Sequence, residues 1–274
     1  MICSIDLSPQ TLEKLSEEYP SAIVREGGLS ALLSYLDFFS THVQRTALQA
    51  AANCCRNMSA DAFGAVQDVF PTLRAVLSYS DQRLVEHAAV CVIRTIESFA
   101  RGATEALEGL LTEGVVRDIL RLLVPGSSSS SGGTNNNSHG TSGGNGGGGG
   151  AMISSGTMTL FLRALSTAAK NSPKITLTLL EGGMAGALYT ILTGVPPPVS
   201  LPLLPNDVER TTGEGVGGGN GPGENGLLTD MVIMQNLAGR PKETVEEALS
   251  LVCELMPPLP RGGSFLVAIS WMIS

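Results

Sequence analysis

Residues 22–36 read AIVREGGLSALLSYL, and their pattern recurs twice further along the chain, as GLLTEGVVRDILRLL at 109–123 and LTLLEGGMAGALYTI at 177–191. Each copy holds a Glu-Gly pair (Glu26-Gly27, Glu113-Gly114, Glu181-Gly182), with an apolar Val24, Leu111 or Leu179 two positions before the Glu. Apolar residues return three, six, seven and ten positions after it. The first set is Leu29, Leu32, Leu33 and Leu36, the second Val116, Ile119, Leu120 and Leu123, the third Met184, Ala187, Leu188 and Ile191. Such offsets put four side chains on one stripe of an α-helix. The Gly is expected to break a short helix from the striped one.

The spacing extends the pattern. Glu26 and Glu113 are 87 residues apart, about two armadillo or HEAT units of roughly 40–47 residues. A degenerate copy is therefore expected midway, and Leu73, Val76, Leu77 and Ser80 supply it, with Phe70-Pro71 in place of Glu-Gly. Between stripes, residues 44–57, 84–99, 157–170 and 243–256 read as further helices. Ser80-Asp81 and Ser172-Pro173 are start signals, and Pro20, Pro71 and Pro257-Pro258 are expected to mark ends. The fold expected is an all-α, armadillo- or HEAT-like right-handed superhelix of about four helical repeats.

Two low-complexity inserts interrupt it. Residues 126–150 contain only Gly, Ser, Thr, Asn and one His, and 196–226 are Pro-rich and then Gly-rich. Neither composition supplies apolar surface to bury, so both are expected to be disordered. The organisation read from sequence is armadillo-like repeats at 1–125, the first insert, a repeat at 151–195, the second insert, closing helices at 227–260, and an atypical tail at 261–274.

Composition agrees with small-sided helix packing: 43% of the 274 residues are hydrophobic but only 4% aromatic. The net charge of −8 argues against a phosphate-binding surface, hence against nucleic acid. The apolar run Phe265–Ile273 is too short to span a bilayer, and the N-terminus lacks the pattern of a signal peptide. None of the five cysteines forms a C-x-x-C pair, so they read as small hydrophobes of a reduced compartment.

Chemical motifs fail on context. Gly213, Gly215 and Gly218 make a formal G-x-G-x-x-G, but no strand precedes it and no helix follows. His42, His87 and His139 have no partners at metal-ligand or triad spacing. Glu17-Glu18 and Glu246-Glu247 are helix neighbours that diverge, which suits solvated faces. No catalytic, metal or cofactor-binding residue is called for. The polar faces of the interior helices carry more information. In an armadillo array the third helix of each unit lines a concave groove that can hold peptides. The groove candidates are Arg45, Asn53, Arg56, Arg94, Arg163 and Lys170.

The blocks EYPSAIVREGGL, YLDFF, QRTAL and AANCCRN, followed by DQRLVEHAAVCVIRTIESF, VVRDILRLLVPG, ALYTILTGVPPP and ALSLVCELMPPLP, resemble in order the armadillo-like region of ubiquitin-fusion-degradation-type HECT E3 ubiquitin ligases. The resemblance spans about residues 10–260 outside the inserts. It implies a non-catalytic segment that recognises substrate proteins, including ones already carrying ubiquitin, in the cytoplasm and nucleus. An E2 enzyme would be engaged only through a HECT domain, which this sequence lacks; none of its cysteines matches that domain's catalytic motif. After Pro260 the sequence RGGSFLVAISWMIS departs from the family pattern, and truncation is expected. The alternative reading is an armadillo-type scaffold or transport adaptor unconnected to ubiquitin.

Overall fold

A computed structural model of the chain describes residues 9–34, 36–124, 153–197, 231 and 233–256. The insert 126–150, all but the first two residues of the insert 196–226, and the tail 261–274 lie outside the described residues, as do Cys3, His139 and the glycine motif at 213–218.

The described residues form α1 (Pro9–Glu18), α2 (Pro20–Arg25), α3 (Gly28–Leu33), α4 (Thr41–Cys54), α5 (Phe63–Val76), α6 (Gln82–Gly102), α7 (Thr104–Leu110), α8 (Glu113–Leu123), α9 (Ser155–Asn171), α10 (Pro173–Glu181), α11 (Met184–Thr193), α12 (233–238) and α13 (Lys242–Leu255). No strand occurs among them. The long helices α1, α4, α6, α9 and α13 stack in that order as a ladder. The striped helices α3, α5, α8 and α11 pack behind it, and the result is an armadillo-like superhelix of four units. Unit one is α2–α3–α4, unit three α7–α8–α9 and unit four α10–α11–α13. In unit two, α5 spans both the first and second helical positions before α6.

Small side chains let the ladder helices approach. Ala47, Ala50, Ala51 and Ala52 on α4, Ala88, Ala89 and Cys91 on α6, and Ala164, Ala168 and Ala169 on α9 are all buried. Such contacts suit the roughly 8–10 Å separations of packed helices. Larger groups fill the space behind: Leu29, Leu48, Leu73, Ile119, Phe161 and Leu188 are all sealed from solvent, each contributing about 1.5–3 kcal/mol of burial. Phe99 meets Phe63 edge to face, with ring centroids 5.7 Å apart.

The stripes are buried as expected, except Leu120, which is half-buried, and Ser80, which is exposed. The helix breaks differ in detail. Gly27 is left-handed (φ +78°) and starts α3, but in the third copy Gly183 takes that role (φ +96°) and Gly182 is right-handed. Gly114 breaks nothing: it lies in the first turn of α8, whose N-cap is Thr112. Pro71 does not end a helix either but sits inside α5. Its missing N–H costs one backbone bond, and Val66, Val69, Leu73 and Val76 bury on both sides of it and keep the helix continuous.

Candidate protein-binding groove

Hydrogen bonds between ladder helices fix their register. Asn53 Nδ2 on α4 donates to Ser16 Oγ on α1 (3.1 Å), and Gln49 Nε2 donates to Glu13 Oε1 (2.5 Å). Arg94 on α6 reaches back to α4, its Nη1 donating to Ala52 O (2.5 Å) and Asn53 Oδ1 (3.3 Å). Ser98 Oγ donates to Cys55 O (3.2 Å) and accepts from the Met58 N–H (3.1 Å). Between α6 and α9, Asn171 Nδ2 donates to Ala100 O (2.9 Å). Between α9 and α13, Thr159 and Thr244 share a 2.9 Å hydroxyl contact, and Arg163 Nε donates to Glu247 Oε1 (2.8 Å).

The six groove candidates therefore divide by role. Asn53 is buried and joins Ser16 to Arg94 across three helices. Arg94 is half-buried, tied to the carbonyl end of α4, and held below the usual arginine range by burial and by the nearby Arg56. Arg45 pairs with Asp81 at 2.5 Å and Arg163 with Glu247. Arg56 and Lys170 remain, exposed and without an ion pair among the described residues. Sequence reasoning missed Arg101, exposed in the last turn of α6. Its signal was the offset of 45 residues from Arg56, close to one repeat.

The opposite edge is organised by N-caps. Asp81 Oδ1 accepts from Arg83 N and Leu84 N, both at 3.0 Å, while its other oxygen takes Arg45. The Arg45 hydrogen bond is the main reason its carboxyl titrates below the ordinary aspartate range. Glu86 accepts from Ser154 N (2.9 Å), Ser154 Oγ (2.7 Å) and Thr157 Oγ1, so α6 anchors the first turn of α9. Tyr79 OH donates to Asp37 Oδ1 (2.7 Å), joining the corners of units one and two. The ladder helices α4, α6, α9 and α13 all begin at this edge, and in sequence the two inserts fall within the two longest second-to-third connections, between α8 and α9 and between α11 and α13.

Cys54, Cys55 and Cys91 are buried, and burial followed by the neighbouring Cys55 pushes the Cys54 thiol up to about 12. Cys253, by contrast, is exposed, so it is no core hydrophobe. Behind the ladder a cavity of about 530 Å³ opens between α5, α7 and α8, lined by Phe70, Arg74, Leu110, Val115 and Asp118 among others. No single helix among the described residues is long and apolar enough to cross a membrane.

No protein-family model matches the chain. Among solved structures, an engineered protein superposes with a TM-score of 0.52 at 18% identity, over 90% of this chain and 43% of that one. A designed armadillo repeat protein superposes at 0.49 and 16% identity, over 90% and 92%. At 18% identity the first of these likenesses concerns the fold alone. Among curated proteins, the E3 ubiquitin-protein ligase UPL3 of Arabidopsis thaliana is 34% identical over 255 residues, 93% of this chain and 11% of that protein. The E3 ubiquitin-protein ligase TRIP12 of Danio rerio is 29% identical over 270 residues, covering 96% and 10%. A probable ubiquitin fusion degradation protein of Schizosaccharomyces pombe is 26% identical over 256 residues, covering 92% and 13%. The chain thus spans about a tenth of the length of these relatives. It is a relative of one segment, the armadillo-like region, of the ubiquitin-fusion-degradation class of HECT-type E3 ubiquitin ligases.

Proposed function

We propose that this chain is a non-catalytic, protein-binding segment that recruits substrates for ubiquitin-dependent degradation, including substrates that already carry ubiquitin. The observation that carries the reading is the 34% identity to a ubiquitin ligase along 93% of the chain, in a segment whose fold is a ladder of helices with a broad polar face. Such faces suit extended or convex protein partners. Ubiquitin and substrate proteins are the partners, an E2 enzyme is engaged only through a separate HECT domain, and the setting is the cytoplasm and nucleus.

The test is capture of a ubiquitin-fusion reporter by the immobilised chain, alongside an E1–E2 charging assay. Capture without a ubiquitin thioester on the chain is the expected result. A thioester on any of its cysteines ends the non-catalytic reading, and failure to retain any ubiquitin fusion ends the recruiting one. The armadillo fold by itself also serves transport adaptors and scaffolds. An adaptor for basic cargo needs an acidic or amide-lined face, whereas Arg56, Arg101 and Lys170 place exposed cations at one end of this one.

A further inference from the structure

The chain as a whole carries −8, yet cations gather on the ladder near the C-terminal ends of its middle helices. Arg56 follows α4, Arg101 lies in the last turn of α6 and Lys170 in the last turn of α9. All three are exposed and have no ion pair among the described residues. The register brings them into one row. The Ser98–Cys55 bond sets the end of α4 against the last turns of α6, and the Asn171–Ala100 bond sets Lys170 beside Arg101. Arg94 sits below the row, fixed by Ala52 O and Asn53, and close enough to Arg56 for the two like charges to oppose each other.

Glu108 on α7 comes close to the row, but it is taken by Ser172 Oγ (2.6 Å) and Lys174. Glu97 lies on α6 one turn before Arg101, and Glu247 on α13 is engaged by Arg163. Glu17 and Glu18 at the end of α1, and Glu254 at the end of α13, flank the row on its two sides. The basic strip is therefore three helices wide and bounded by acid. With neighbouring helices about 10 Å apart it is roughly 20 Å long, which about six extended residues cover.

We propose that Arg56, Arg101 and Lys170 form a docking strip for an extended acidic segment of a partner protein, one with carboxylates about three residues apart. The chemistry is charge complementarity at the helix spacing: in an extended polyproline-II segment three residues make one turn and advance about 9 Å, so every third carboxylate faces the strip one ladder step further on. The proposal deepens the recruiting role and rests on it, because it states which kind of substrate segment the ladder face takes. Cations in a last turn also offset the negative end of each helix. A purely capping role makes a different forecast, in which charge reversal lowers thermal stability and no acidic peptide binds.

The test is fluorescence anisotropy of the whole chain with a dye-labelled Gly-Ser peptide carrying Glu at every third position, and with its Gln and Lys counterparts. The Glu peptide is expected to bind and the other two to fail. The triple variant R56E/R101E/K170E is expected to weaken the Glu peptide by about tenfold or more, the scale on which removing complementary charges acts. R101E alone is expected to weaken it more than R25E, a charge-matched change on α2, and circular dichroism establishes that each variant is folded. Absence of Glu-peptide binding, or equal loss in R101E and R25E, overturns the strip. Capture of the ubiquitin fusion that survives in the triple variant also overturns the strip and leaves recruitment standing. Glu-peptide binding by a chain that captures no ubiquitin fusion supports the strip and removes the ligase reading.

Discussion

Glu86 on α6 and Ser154 before α9 are 68 residues apart in sequence and 2.7 Å apart in space. The carboxylate takes both the hydroxyl and the N–H of Ser154, and Thr157 Oγ1 as well. It fixes the point where the chain rejoins the ladder after residues 125–152. Glu86→Ala is expected to lower stability by about 1.5–3 kcal/mol, the range for hydrogen bonds to a charged group. Thermal unfolding reads the loss, and amide exchange localises it to the first turn of α9. An unchanged exchange rate there contradicts the anchoring role.

Asp81 supplies a pH-dependent contribution through its pair with Arg45. The Arg45 hydrogen bond, then the backbone N–H groups it caps, depress the folded-state value. A depressed acid stabilises the fold above its unfolded value of about 3.9, and the contribution fades as pH falls through the folded value. Asp81→Asn keeps the cap and removes the charge. The difference in melting temperature between wild type and D81N is therefore expected at neutral pH and to shrink below about pH 4. A gap that widens in acid contradicts the assignment.

Gly182 marks a close approach between units three and four. A Cβ there would stand 2.5 Å from Val116 Cγ1 and 3.0 Å from Val116 Cβ. Gly182→Ala is expected to cost about 1–3 kcal/mol by overpacking. The double variant G182A/V116A is expected to recover part of that loss in denaturant unfolding, and additive losses sink the explanation.

Thiol reactivity separates the cysteines. Cys253 is exposed, whereas Cys54 is sealed and its thiol is raised to about 12. Iodoacetamide at pH 8 followed by peptide mapping is expected to label Cys253 in the native chain and to reach Cys54 only after unfolding. Early labelling of Cys54 contradicts the packing of α4.

The helix stripes were legible because a 3.6-residue period is local: Leu29, Leu32, Leu33 and Leu36 need no knowledge of their neighbours to share a face, and all four are buried. Asp81 and Ser172 were legible as caps for the same reason. Pro71 was misread because breaking a helix is only its local tendency, and the burial of Val66, Val69, Leu73 and Val76 around it outweighs one lost bond. The roles of the groove candidates are not local properties. Whether an arginine faces a ligand or ties two helices depends on register between segments some 40 residues apart. Asn53, which meets Ser16 and Arg94, shows no trace of either partner in its own surroundings. Arg56 and Lys170 look like Arg45 and Arg163 in sequence, and only the placement of Asp81 and Glu247 separates them.

The corner between second and third helices has a consequence for how this chain tolerates change in length. Units one and two cross it with 7 and 5 residues, from Ser34 to Ser40 and from Leu77 to Asp81, whereas units three and four use far longer connections. The ladder partners on either side are the same kind of helix, held by the same kind of bond. Closing a flexible loop costs only about 0.6 kcal/mol for each doubling of its length. Once Glu86 grips Ser154, the spacing of α9 from α6 is independent of how much chain was passed over. This edge is therefore where the fold tolerates a change in length, while the ladder bonds set the register of the opposite ends, with Arg56, Arg101 and Lys170.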